Sequence, residues 1–301
     1  GDGDDTLVGG ADDDSLSGGA GADSMRGDDG DDCLDGGEGA DTLEGGAGAD
    51  TLAGGAGADL VSGGAGADTV LIAPDTGADT IFGGEGGSDF DTIDLSALAG
   101  SFEVRFDGAE SGTILIGEDV VRFAEIERFV LTGGADRIDL AGNTSSVTID
   151  SGAGEDVITN VQDASAVHAG AGDDTITGLD HTDGGVATID GGAGDDVIDG
   201  RDGADLIHGG AGDDTIEAGE ERSRGDADTV FGGDGDDVIT SSETDSGSRD
   251  ALFGEAGDDR ITVAGGAGNT LDGGAGDDTL TGGTGDDVLT GGTGADLFVV
   301  T

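Results

Sequence analysis

The chain has 301 residues, 68 of them Gly, and sets 69 acidic side chains against 10 basic ones for a net charge of −59. Nothing in that balance neutralises a phosphate backbone, so nucleic acid is excluded as a partner, and no apolar run is long enough to cross a bilayer. Low aromatic content (3%) and high charge describe a disordered chain, and only a repeat overrules that reading.

The first block, residues 1–95, carries the repeat most cleanly. Residues 36 to 71 read GGEGADTLE, GGAGADTLA, GGAGADLVS and GGAGADTVL in register. Glycine tolerates positive φ, so GGxGxD predicts a tight turn. In the xUx that follows, only U faces inward, because side chains alternate along a strand. That predicts three-residue strands, two per 18-residue coil, and two parallel sheets across a thin layer of U side chains. The inward residues are Leu7, Leu16, Met25, Leu34, Leu43, Leu52, Val61 and Val70. Sixth-position aspartates fall at Asp5, Asp14, Asp23, Asp32, Asp41, Asp50, Asp59 and Asp68. Stacking sets Asp41 beside Asp59 and Asp50 beside Asp68. Carboxylates one strand spacing apart, about 4.8 Å, repel unless a cation lies between them. Carboxylates plus glycine carbonyls, here those of Gly37, Gly39, Gly46, Gly48, Gly55, Gly57, Gly64 and Gly66, form an all-oxygen set that suits calcium better than magnesium.

These residues resemble a known family. The motif GGxGxDxUx is similar to the RTX (repeat-in-toxin) calcium-binding repeat of bacterial secreted proteins. The resemblance covers most of residues 1–95 and 150–300. It implies an all-β fold, a right-handed parallel β-roll stabilised by several Ca2+ ions. It also implies folding outside the cell and type I secretion through an uncleaved C-terminal signal, expected beyond Thr301.

After Val70 the period slips. The only Pro lies in PDTGAD, Asp79 comes eleven residues after Asp68, and GGEGGSDFD leaves Asp89 or Asp91 as the next candidate ligand. Residues 96–149 are a divergent segment. SFEVRF alternates apolar and polar as a half-buried strand should. TILIG, VVRF and IERFVL read as further strands, with four of the nine Phe in this stretch. We expect solenoid with longer strands and no regular metal turns, against the alternative of a small lateral β-domain.

The second block, residues 150–301, supplies Asp156, Asp174, Asp196, Asp205, Asp214, Asp228, Asp237, Asp250, Asp259, Asp278, Asp287 and Asp296 as metal ligands. Ser165 stands where a ligand is due, and Asn269 where an aspartate is missing. Insertions at GLDHTDGGVAT, AGEERSRGDAD and SSETDSGSRD are expected to bulge from turns, where added length costs little.

No HExxH or GxSxG occurs, His168, His181 and His208 are scattered, and the lone Cys33 sits at an outward position as a free thiol. The GxG runs precede short strands rather than helices, so they are not dinucleotide fingerprints. The reading is therefore a non-enzymatic, secreted or cell-surface structural or adhesive element. The alternative is the export module of a type I-secreted toxin, protease or lipase. End-to-end self-association is expected, since open strand edges template pairing.

Overall fold

The computed structural model describes residues 1–74, 77–84, 90–162, 164–179, 185–219, 226–242, 248–266 and 268–300. Asp89, His181 and the central parts of the three insertions lie outside the described residues. The chain forms two compact units, Gly1–Ser151 and Gly152–Thr301. Every regular element described in either is a β-strand.

In the first unit one sheet stacks Thr6–Ala11, Ser24–Asp29, Thr42–Ala47, Leu60–Ala65 and Thr80–Phe82, all parallel. The other stacks Ser15–Ala20, Cys33–Glu38, Thr51–Ala56, Thr69–Leu71, Thr92–Asp94, Arg128–Val130 and Thr148–Asp150, again parallel. Consecutive strands alternate between the sheets, which is the topology of a parallel β-roll. The inward residues are those expected: Met25, Leu34, Leu43, Leu52, Val61 and Val70 are all at most 2% exposed.

The strands of the regular block are twice as long as the repeat suggests. Thr42–Ala47 runs through the glycine pair as TLEGGA, and Gly46 pairs with Gly64 in the next coil. The physical reason is register. Identical coils stack over their full length, so the glycines join the ladder and only GxD remains to turn.

Residues 103–124 break the parallel rule. Glu103–Gly108, Ser111–Ile116 and Asp119–Ala124 form an antiparallel meander. Its last strand pairs in parallel with Thr80–Phe82 and its first with Arg137–Asp139. The meander thus occupies successive places in the sheet. Phe106, Phe123 and Phe129 meet edge to face there, with centroids 4.9–5.4 Å apart, so the core is wider than one aliphatic layer.

The second unit repeats the roll. One sheet runs from Val157–Val161 through Thr175–Gly178, Val197–Asp199, Thr215–Glu217, Val238–Ser241, Arg260–Val263 and Thr279–Gly282 to Leu297–Val300. The other holds Ala166–Ala171, Thr188–Ala193, Leu206–Ala211, Thr229–Asp234, Ala251–Ala256, Thr270–Ala275 and Val288–Thr293. Insertions leave register intact: Ile207 lies over Val230, and Val230 over Leu252.

Candidate metal centre

The turns carry the sites. Along each ladder the Oδ1 of a sixth-position aspartate accepts the backbone N–H of the equivalent residue in the preceding coil. Asp23 donates to Asp41 at 2.7 Å, Asp41 to Asp59 at 2.8 Å and Asp59 to Asp79 at 2.9 Å. On the opposite edge Asp14, Asp32, Asp50, Asp68 and Asp91 form the same ladder, and Asp91 donates to Glu127. Asp5 heads the first ladder.

In the second unit one ladder is continuous: Asp156, Asp174, Asp196, Asp214, Asp237, Asp259, Asp278 and Asp296. The other passes Ala187, Asp205, Asp228, Asp250, Asn269 and Asp287. The twenty aspartates expected as metal ligands all stand in these ladders. Asn269 keeps the rung through Oδ1, while its Nδ2 donates to Gly265 O at 2.9 Å. Ser165 is buried without a carboxylate to offer.

The second carboxylate oxygen tests the site for a cation. Oδ2 of Asp23, Asp32, Asp41, Asp50, Asp59, Asp174, Asp196, Asp214, Asp237, Asp259 and Asp278 is buried with no hydrogen-bond donor. A buried, unsatisfied charged oxygen is expensive. It also faces another acceptor: a Cβ placed on Gly9 would lie 2.6 Å from Asp14 Oδ2 and 2.9 Å from Gly27 O. Two oxygens flanking one cradle, with no proton donor between them, fit a hard cation.

The glycine rows add carbonyls. Gly37, Gly39, Gly46, Gly48, Gly55, Gly57, Gly64 and Gly66 all hold φ near +98 to +144°, where an L side chain is strained. The carbonyl oxygens of Gly37, Gly39, Gly46, Gly48, Gly57 and Gly64 stand against a glycine of the next coil, where any Cβ would collide with them. No group of three or more side-chain ligands occurs among the described residues. Backbone carbonyls therefore have to complete any coordination shell.

Burial governs the electrostatics. It pushes Asp174 and Asp237 up to about 7 and Asp79, Asp196, Asp214 and Asp259 to about 6. Asp41, Asp50, Asp59 and Asp278 are raised by the same cause. The ladder N–H opposes the rise, and neighbouring carboxylates add to it.

Two acceptors that complete the ladders, Asp79 and Glu127, were not named as ligands in the sequence. Asp91 takes the place that the sequence left open between it and Asp89. A further, exposed ladder runs through Asp173, Asp195, Asp213, Asp236, Asp258 and Asp277, each accepting the N–H of the next rung. Its signal was the repeated Asp-Asp pair. Cys33 is exposed and free.

Comparison with known families matches the RTX calcium-binding nonapeptide repeat (4 copies) at residues 1–33, 35–70, 75–87, 166–184, 181–216, 224–243, 244–269 and 263–298. These matches span more than half of the chain. No curated protein matches it. No described helix is long and apolar enough to cross a membrane.

Proposed function

The chain belongs to the RTX calcium-binding nonapeptide repeat family, and from that premise we propose that it is a calcium-dependent folding element of a bacterial secreted or cell-surface protein. The observation that carries the reading is the row of buried, donorless Oδ2 atoms facing glycine carbonyls. A bound calcium ion would supply the positive charge that lets both oxygens stay buried. The chain's own part is to hold them there: the ladder N–H fixes Oδ1, the glycines admit the close approach, and the U residues hold the coils in register. Without a cation the carboxylates repel and the coils separate, which keeps the chain unfolded in calcium-poor cytoplasm. Extracellular modules of this ligand type bind calcium at about 10⁻⁴–10⁻³ M.

Within this proposal the roll acts as a structural or adhesive body rather than an enzyme. Both units are built mainly of stacked coils whose regular core is one side-chain layer thick. The competing reading is a folding-and-export module for a toxin, protease or lipase secreted by a type I system. End-to-end association belongs to the first reading and is measured by sedimentation across a calcium titration. The central test is far-UV dichroism at a pH of about 7.5, above the raised carboxyl values: coil in excess chelator, β structure on calcium addition, with magnesium a poor substitute. A β spectrum that persists in chelator would sink the proposal.

A further inference from the structure

On the outer face of one sheet in the second unit, in-register positions carry Asp190, His208, Phe231, Phe253 and Asp272. The three rings stack: His208 on Phe231 at 4.7 Å and 6°, and Phe231 on Phe253 at 5.0 Å and 11°. The stack stops at Phe253, because the next rung holds the short Asp272. A pocket of about 200 Å³ opens at that step, lined by Phe253, Glu255, Asp272 and Gly274.

Glu255 is unusual. It takes the second glycine position of its turn at φ +75°, a conformation that costs a non-glycine residue energy. Asp28 and Arg201 occupy the equivalent position in other turns, at φ +78° and +69°. Each of those pairs with the opposite charge two residues earlier: Asp28 with Arg26 Nε at 2.5 Å, and Arg201 Nε with Asp199 at 2.8 Å. Two residues before Glu255 stands Phe253 instead. The ion pair has lost its cation, and an open ring face occupies the place. No hydrogen bond or ion pair engages the side chain of Glu255 or Asp272 among the described residues.

We infer that this step binds a guanidinium group, an arginine side chain of a partner polypeptide. A planar guanidinium laid on Phe253 continues the ring stack by one rung, and its fork reaches carboxylates on both sides. An aromatic face with flanking carboxylates favours arginine over lysine, whose ammonium neither stacks nor forks. The site deepens the adhesive reading above, since it gives the roll a partner chemistry.

The test titrates the calcium-loaded full chain with acetyl-arginine amide and acetyl-lysine amide at matched ionic strength, followed by isothermal titration calorimetry, a readout that all variants share. Free arginine, whose carboxylate is repelled by this surface, is the arm that separates an amino-acid ligand from a polypeptide one. Saturable arginine binding, with lysine about tenfold weaker or worse, is expected. Glu255→Gly should lose arginine binding at least about tenfold while leaving the fold as stable or more so, because glycine suits the backbone there. Phe253→Ala should lose it as well. Equal binding of lysine, or arginine binding untouched by both substitutions, overturns the inference. Dichroism of the same samples keeps the two proposals apart. A chain folded in chelator counts against the calcium reading alone, and a folded chain blind to arginine against this one alone.

Discussion

At the scale of single residues, the sixth-position aspartate does two jobs with two oxygens. Asp50 shows both: Oδ1 accepts the N–H of Asp32, while Oδ2 is buried with no donor. Asp50→Ala removes a hydrogen bond to a charged group, worth about 1.5–3 kcal/mol, together with the buried Oδ2 proposed above to hold a cation. We expect a higher calcium midpoint and a lower Hill slope in a dichroism titration. Asp107, exposed in the meander and bonded only loosely to Ser111 at 3.4 Å, is the control. Asp107→Ala should change little, and equal effects at both positions would show the ladder to be unimportant. Spacing alone made Asp50 legible, because its neighbours recur every nine residues.

At the scale of elements, a coil tolerates a damaged turn provided the rung survives. Asn269 is 0% exposed and still accepts the N–H of Asp250 at 3.0 Å, so the strand after it stays in register. An amide offers one oxygen where a carboxylate offers two, and its Nδ2 is committed to Gly265 O. Asn269→Asp trades that donor for a second acceptor facing a carbonyl. It should therefore destabilise the chain in limiting calcium and stabilise it in excess, giving a steeper calcium dependence of Tm. A uniform loss of stability at all calcium levels would show that the turn at 269 has no room for a cation. The sequence named this gap but not its geometry, since only the neighbouring coil shows that Asn269 stands in for an aspartate.

At the scale of the whole molecule, net charge and buried carboxylates set a pH dependence. A carboxyl raised from 3.8 to about 7, as at Asp174 and Asp237, holds its proton more tightly folded than unfolded. Without a cation, its contribution favours folding below pH 3.8 and is lost as pH climbs towards 7. Protonation also relieves the repulsion of a −59 chain. In chelator we therefore expect β structure to appear on acidification from pH 7.5 to about 4. With calcium the sign reverses, because protons compete for the same oxygens: the calcium midpoint should fall as pH rises from 5 to 7.5. A midpoint independent of pH would mean that these aspartates do not take part.

The sequence by itself determined the coil. Glycine at positive φ, an aspartate and one inward aliphatic residue act over nine residues, so the roll, its core from Leu16 to Val70 and most of both ladders follow from spacing. Only the tertiary structure decided what depends on the next coil. Strand length doubled because glycines pair sideways with glycines, as Gly46 does with Gly64. The meander at 103–124 sits within the sheet because its outer strands find parallel partners in Thr80–Phe82 and Arg137–Asp139. His208, Phe231 and Phe253 are separated by insertions that hide their period, and they stack because register is kept by the ladders rather than by sequence distance. Local chemistry is written along the chain, whereas lateral neighbours exist only once coils of unequal length have been laid one upon another.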